Sequence, residues 1–468
     1  MIQRKFSGRL CAWSCVLVAS ISFQSGIYAE DVIAQDALDS DTADIAGGSG
    51  DGAVNGDPNA PVTREEFNRL ADQFRLRYPG SGEVTDSGLG EASRLPGGKG
   101  GLYDKPFLGA GSGPSAYLGG YFDVEYRDPE SARHEFRFHR LIPFIYADIH
   151  ERIRFATEIE IEDGKDVQVE FAYLDLLLVD EVNIRGGVIL NPLGKFNLIH
   201  DSPINDLTDR PLLSRYVIPT TLREVGLGSF GTLTPPESQV EVKYEGYLTS
   251  GFKGLDNDGH VAITSTSGLR NARPHKSLGD SGAFDDVNNK FAGVGRLSVS
   301  PLLGTEMGAS FHSGTYDEAG DNALNIVAID GLVTIPEFTV ADRYPVGPIE
   351  LQAEAAHAFV ERDNFAKAQG VADDLSGYYA QVNYHFMPAY LTESVPLLFP
   401  DDSTFTAVYR WGHVNLDGYV QRRSTIGLNY RPVESAAFKI DYQFNRGTGS
   451  APNSADDDAF VASLTSYF

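Results

Sequence analysis

Cysteine is all but missing from this chain, and its two positions narrow the reading at once. Cys11 and Cys15 are the only two among 468 residues, and both lie in the first fifteen positions. Residues 1–29 read as a secretory signal peptide, with Arg4, Lys5 and Arg9 at its head and a mostly apolar stretch from Leu10 to Phe23. A usable cleavage site follows at Ile27-Tyr28-Ala29. Neither cysteine has the apolar run before it that a lipoprotein signal needs. The mature chain then holds no cysteine, so an exported protein must build its stability from the fold alone. A long hydrophobic run is missing too. No other stretch reaches the roughly 18 apolar residues of a spanning helix, which excludes a helical membrane protein. A membrane β-barrel escapes that test, because its strands alternate and give no hydropathy peak.

Net positive charge is the third thing lacking. The formal charge is −27, from 38 Lys and Arg against 65 Asp and Glu. Removing residues 1–29 takes three bases and no acid, leaving 35 − 65 = −30. Nucleic acid is therefore not an expected partner, since phosphate binding needs a basic face.

Residues 30–62 hold eight acids and no base among Gly, Ser and Asn, which reads as an acidic, disordered lead. Residues 63–79 read as a short amphipathic helix, with a Thr63/Glu66 capping box and Phe67, Leu70, Ala71 and Phe74 on one face. It serves either as a small association or plug element or as a helix docked on a barrel end. Residues 80–113, with eleven glycines from Gly80 to Gly113, read as a flexible linker.

From 114 to 468 the pattern switches to a period of two. In the stretch 152–162, Arg152, Arg154, Glu158, Glu160 and Glu162 alternate with Ile153, Phe155, Ile159 and Ile161. Sixteen such segments follow one another. Short turns such as 180–182, 234–237, 300–303 and 432–433 lie at one end. Longer connections at 192–223, 253–288, 362–374 and 447–457 lie at the other. The expected fold is all-β, a 16-stranded antiparallel transmembrane β-barrel with a short N-terminal helical and disordered extension. Two turns on the short side, 336–347 and 388–402, are longer than this pattern wants. Phe460, Ala462, Leu464, Ser466 and the terminal Phe468 share one face. A last strand of this kind is what barrel-assembly machinery reads in outer-membrane barrels as a class. Tyr121, Phe122, Tyr126, Tyr409, Trp411, Tyr430, Tyr442 and Phe444, near strand ends, are expected to supply aromatic girdles.

If apolar faces meet lipid, the pore lining includes Arg137, Arg154, Glu158, Glu160, Arg185, Arg296, Arg410 and Arg423. Arg140 and Asp175 fall on the apolar side by simple counting, so a bulge or a membrane-edge position is needed there. Sixteen strands leave a channel that side chains cannot fill. The 192–223 stretch, stiffened by Pro203, Pro211 and Pro219, is the expected constriction loop folded inward. Its charged residues are Lys195, Asp201, Asp206, Asp209, Arg210, Arg215 and Arg223. With Glu224 it carries four bases against four acids, so weak selectivity is expected.

The run GGVILNPLGKFNLIHDSPINDLTDRPLLSRYVIPTT, with Pro192-Leu193-Gly194 at a strand end, resembles the phosphate-selective porin (O and P type) family and related Gram-negative outer-membrane porins. So do HRLIPFIYADIHERIRFATEIEIEDG and Gly295-Arg296-Leu297. The resemblance spans about residues 115–468 and implies a trimeric pore for small, often anionic solutes. The basic ladder and lysine-rich throat expected of phosphate selectivity have no match here.

The function this supports is passive diffusion of small hydrophilic solutes or ions through an outer-membrane channel. No enzymatic activity, cofactor or metal site is expected. The partners are outer-membrane lipid, a homotrimer of the chain, and the assembly machinery at Phe468. A structural or adhesive barrel, presenting the 253–288 loop, is the alternative. A barrel hydrolase using His139, His312, His357 or His385 beside serines is a third. The Gly226–Gly231 run matches G-x-G-x-x-G, but no helix follows it, so the dinucleotide reading fails.

Overall fold

The computed structural model describes residues 108–109, 115–236, 238–340, 344–448 and 456–468. The readings made for residues 1–79, and the linker read at 80–113 apart from 108–109, lie outside these. Sixteen strands form the wall. They are β1 (Ser115–Pro129), β2 (Glu135–His150), β3 (Ile153–Glu162), β4 (Asp166–Val179), β5 (Val182–Leu190), β6 (Arg223–Leu233), β7 (Glu241–Thr249) and β8 (Ala292–Leu302). The second half comprises β9 (Thr305–Thr315), β10 (Ala323–Ile335), β11 (Ile349–Val360), β12 (Asp374–Phe386), β13 (Thr404–Leu416), β14 (Tyr419–Val433), β15 (Ala436–Thr448) and β16 (Ala459–Tyr467). Each of the sixteen expected segments is a strand, with ends displaced by a few residues.

Every strand pairs antiparallel with its neighbour in sequence, and β16 pairs with β1 from Ala459↔Pro129 to Tyr467↔Tyr121. The sheet is therefore a closed 16-stranded antiparallel barrel with no free edge. Phe468 finishes the seam: its N–H donates to the Gly120 carbonyl at 2.9 Å, and Gly120 N–H donates back at 3.1 Å. A Cβ on Gly120 would lie 2.6 Å from both the Ile142 carbonyl and the Phe468 ring, so glycine is what lets the ring in. Below this seam, Leu108 and Gly109, within the stretch read as linker, pair with Leu118 and Tyr117.

The two faces of the wall differ in the way its alternating pattern requires. Outward residues are apolar and exposed, among them Phe136 (82%), Ile329 (64%), Leu248 (62%) and Leu227 (61%). Inward residues are buried and largely polar, among them Glu158, Asp175, Arg185 and Asn429. Two bulges explain the parity breaks at Arg140 and Asp175. One shifts the β1–β2 register between Asp123 and Val124 and turns both His139 and Arg140 inward. Another shifts β3–β4 between Glu158 and Ile159, beside Glu170, and re-phases Asp175 onto the inner face. Tyr121 departs from the girdle expectation. It is fully buried, points inward, and meets Tyr467 edge-on at 5.8 Å.

Most short-side turns are tight. The two long ones spend their extra length on small elements of their own: a hairpin, Phe338–Val340 with Tyr344–Val346, and a helix, Ala389–Ser394. On the opposite side, the 191–222 connection folds back inside the cylinder and carries two single-turn helices, α1 (Lys195–Leu198) and α2 (Leu213–Tyr216). Its Leu193, Leu212, Leu213, Val217, Ile218 and Leu222 join Phe252, Leu255, Ile263 and Leu269 of the next long loop in one buried cluster. Ile326, Ala358, Leu375 and Val414 complete it from the wall. Apolar burial, rather than covalent linkage, thus anchors the loop to the side formed by β10 to β13. A second cluster, Tyr117, Tyr121, Phe144, Phe171 and Tyr467 with Leu198, fills the opposite side.

Candidate functional site

The site begins with how the inward loop is pinned. Near its start, Lys195 Nζ pairs with Glu306 at 2.9 Å, and Gly194 N–H donates to Ser310 Oγ at 2.9 Å. Asp201 accepts from Tyr467 Oη at 2.8 Å, while Ser202 Oγ donates to Asp123 at 2.6 Å. Asp206 accepts from Asn383 at 2.9 Å and Asn429 at 3.1 Å, with Arg431 at 3.5 Å. Asp209 holds Arg127 at 2.6 Å, Gln443 at 2.7 Å and Arg423 at 3.4 Å. The loop's acids are therefore spent on fastening it to β1 and to β12 through β16.

Its arginines fare differently. Arg210 donates to the Thr220 carbonyl, and Arg223 donates to Gln168 Oε1 at 2.8 Å. Arg215 lies over the Tyr216 ring. Around them opens a cavity of about 420 Å³ between β1–β4, the inward loop and the following outer loop. Nine Arg and Lys side chains line it: Arg127, Arg137, Arg140, Arg210, Arg215, Arg223, Arg270, Arg273 and Lys276. Only four acids do: Glu135, Glu160, Glu162 and Asp209. Among the described residues, Arg210, Arg215, Arg223, Arg270, Arg273 and Lys276 make no ion pair with a carboxylate. Arg223 Nε and His275 Nδ1 are buried there without a hydrogen-bond partner.

The loop groups feel this excess. Burial, then the charges of Arg223, Arg210 and Arg270, push the Arg273 guanidinium down to about 9. Burial and neighbouring arginines push Lys276 down as well. His275 is driven far below its ordinary value by burial and then by Arg223 and Arg273, so it is neutral at pH 7.

The sequence-chosen residues divide into two groups. Arg137, Glu160, Asp209, Arg210, Arg215 and Arg223 meet at the cavity. The others are held elsewhere in ion pairs and hydrogen bonds. Arg154 (3.0 Å) and Arg185 (2.7 Å) share Asp175, and Arg185 also sits between the Tyr173 and Phe230 rings. Arg296 donates to Asp330 at 2.7 Å. Arg410 donates to Gln381 and the Asp209 carbonyl, both at 2.6 Å, and Arg423 to Asn445 at 2.7 Å. Glu158 is buried on the inner face of β3. Sequence reading left Arg140 between a bulge and a membrane-edge position, and it missed Arg127 and, above all, Arg270, Arg273, His275 and Lys276. The last four form RNARPHK, a dense basic run in a very acidic chain, and that was the signal available.

Two carboxylate–imidazole groups have donor sets able to hold a divalent cation. They are Asp123, Glu125 and His139, and Glu170, His200 and Asp201. In each, an imidazole nitrogen already faces a carboxylate: His139 Nδ1 at 2.9 Å from Asp123, and His200 Nε2 at 2.7 Å from Glu170. An imidazole N–H donating to the carboxylate satisfies that geometry without an ion. The remaining histidines weighed for hydrolysis face Glu224 (His312, 3.0 Å), Asp374 (His357, 3.0 Å) and Thr406 (His385, 2.9 Å).

No protein-family model matches the chain. An uncharacterized protein of Aquifex aeolicus (strain VF5) is 26% identical over 392 residues, covering 78% of this chain and 84% of that one. Among solved structures, OmpF of Salmonella typhi in complex with daunomycin aligns at TM-score 0.49 and 10% identity, over 77% of this chain and 100% of that one. The anion-selective porin from Comamonas acidovorans aligns at TM-score 0.46 and 10% identity, over 76% of this chain and 100% of that one. The outer membrane channel DcaP of Acinetobacter baumannii aligns at 0.45 and 10% identity, over 78% of this chain and 100% of that one. At these levels neither ligand nor activity passes from those proteins to this chain.

Proposed function

We propose that the chain is an outer-membrane porin, a water-filled passage for passive diffusion of small hydrophilic solutes or ions. The inward 192–223 loop narrows it, and anions are favoured at the basic cavity. A closed barrel with an apolar outside and a charged inside suits a lipid bilayer and little else. Residence in the outer membrane of a Gram-negative-type bacterium, signal-peptide cleavage, homotrimer formation and assembly through Phe468 belong to the same reading.

One observation carries the anion preference: six bases without carboxylate partners among the described residues converge on one cavity in a chain of net charge −27. Unpaired cations inside a low-dielectric wall raise the local concentration of anions. The loop alone is charge-balanced, which pointed to weak selectivity. Its acids are consumed as fasteners, and a second loop adds further bases. Phosphate itself has no dedicated support.

Planar-bilayer recording of the purified protein tests the reading. Discrete open-channel steps are expected, with a reversal potential of anion-selective sign in a salt gradient. Silence at high salt would sink the channel, and a cation-selective sign would sink the preference.

A further inference from the structure

The connection between β12 and β13 is unlike the tight turns at its end of the barrel. Its helix Ala389–Ser394 leads into Val395-Pro396-Leu397-Leu398-Phe399. Phe399 packs on the outside of the wall, 5.4 Å from the Tyr430 ring and 5.9 Å from Phe405. Tyr430 Oη donates to the Leu398 carbonyl and straps the segment down. Those rings continue outward-facing aromatic contacts, Phe386 with Phe405 at 5.8 Å and Tyr430 with Phe438 at 6.4 Å.

Beyond this strap the segment bares its apolar side chains. Leu397 is 92% exposed, more than any other large hydrophobic residue described, with Tyr390 at 66% and Leu398 at 61%. Glu393, Asp401 and Asp402, also exposed, border them. We infer that residues 388–402 are an interfacial anchor, lying flat in the phospholipid boundary of the inner leaflet. The inference rests on the membrane-barrel reading above. It follows from continuity: the apolar side chains extend the lipid-facing belt at the inner end of β12–β15, and the acids mark where water begins. With no basic residue in the segment, its grip is apolar and independent of salt.

The test uses the full chain in phospholipid vesicles. Trp411→Phe removes the one tryptophan outside the signal segment, since the other is Trp13. Leu397→Trp then reports on the anchor and Ile329→Trp on the middle of the belt. Both should be quenched by lipids with brominated acyl chains. Leu397→Trp should lose more emission to bromines near the glycerol, and Ile329→Trp to bromines near the chain end. If Ile329→Trp is not quenched, the membrane-barrel reading itself fails. Quenching of Ile329→Trp alone, with water-like emission from Leu397→Trp, overturns the anchor. So does unquenched, blue-shifted emission from Leu397→Trp, which would put a second copy of the chain there instead.

Discussion

Replacing Arg270 and Arg273 together by glutamine tests the basic cavity most directly. Both come from the outer loop, and neither pairs with a carboxylate among the described residues. Arg273 Nε donates only to the Arg270 carbonyl at 3.0 Å, and its Nη1 to the Thr220 carbonyl at 3.4 Å. Glutamine keeps a donor and much of the length, and Arg210 still holds Thr220. Removing the two charges changes the lining from nine bases against four acids to seven against four. A unit charge about 8 Å from a permeating anion is worth about 0.5 kcal/mol even at the dielectric of water. Two such charges total about 1 kcal/mol, or about a five-fold change in the anion's occupancy and the inverse for the cation, which together set the permeability ratio. At 0.1 M salt the Debye length of about 10 Å roughly halves that energy and leaves about a two-fold change. Reversal potentials of single channels in KCl gradients, at several mean concentrations, read the ratio. The double variant should move toward cations, most at low salt. An unchanged ratio at low salt, with channels still opening, would refute the placement of these arginines on the ion path.

Three further outcomes follow from particular contacts. Because the Lys276 ammonium and the Arg273 guanidinium are held below their ordinary values, their charge disappears at lower pH than usual as pH rises. Anion preference should therefore fall in alkaline solution, and Lys276→Met should weaken the early part of that fall. Asp209→Asn leaves Arg127 and Arg423 facing each other without their shared carboxylate, a local loss of about 2 kcal/mol for partly exposed groups. Open-channel current noise should rise as the loop loosens, with the barrel's heat resistance on gels unchanged. Gly120→Val puts side-chain carbon where the Phe468 ring and the Ile142 carbonyl already sit, an overpacking cost of about 1–3 kcal/mol at the seam. Yield of heat-modifiable, closed barrel should drop, whereas Gly418→Val, with open space around its Cβ position, should mainly strain a loop.

Local periodicity was enough to place the wall. Alternation in stretches such as 152–162 is a property of neighbouring residues, so it survives without knowledge of the fold. Strand count and the long and short ends could be read from it, while the inward loop was read from its length, its prolines and the width of a sixteen-stranded barrel. The two places where alternation broke, at Arg140 and Asp175, required a bulge or a membrane-edge position, and the structure has bulges there, beside His139 and Glu170.

Which charges remain available was beyond the sequence, because pairing across a barrel is a matter of distance in space. Asp209 and Arg210 are neighbours in the chain, yet Asp209 serves Arg127 and Arg423 while Arg210 turns to the cavity. Tyr121 read as a girdle residue until closure of β16 on β1 set it against Tyr467 inside. Arg270, Arg273 and Lys276 reach the cavity only because the loop carrying them packs on α2, where Leu269 N–H donates to the Tyr216 carbonyl at 2.8 Å. Composition made this chain acidic. Tertiary pairing committed the inward loop's acids and left a basic cavity.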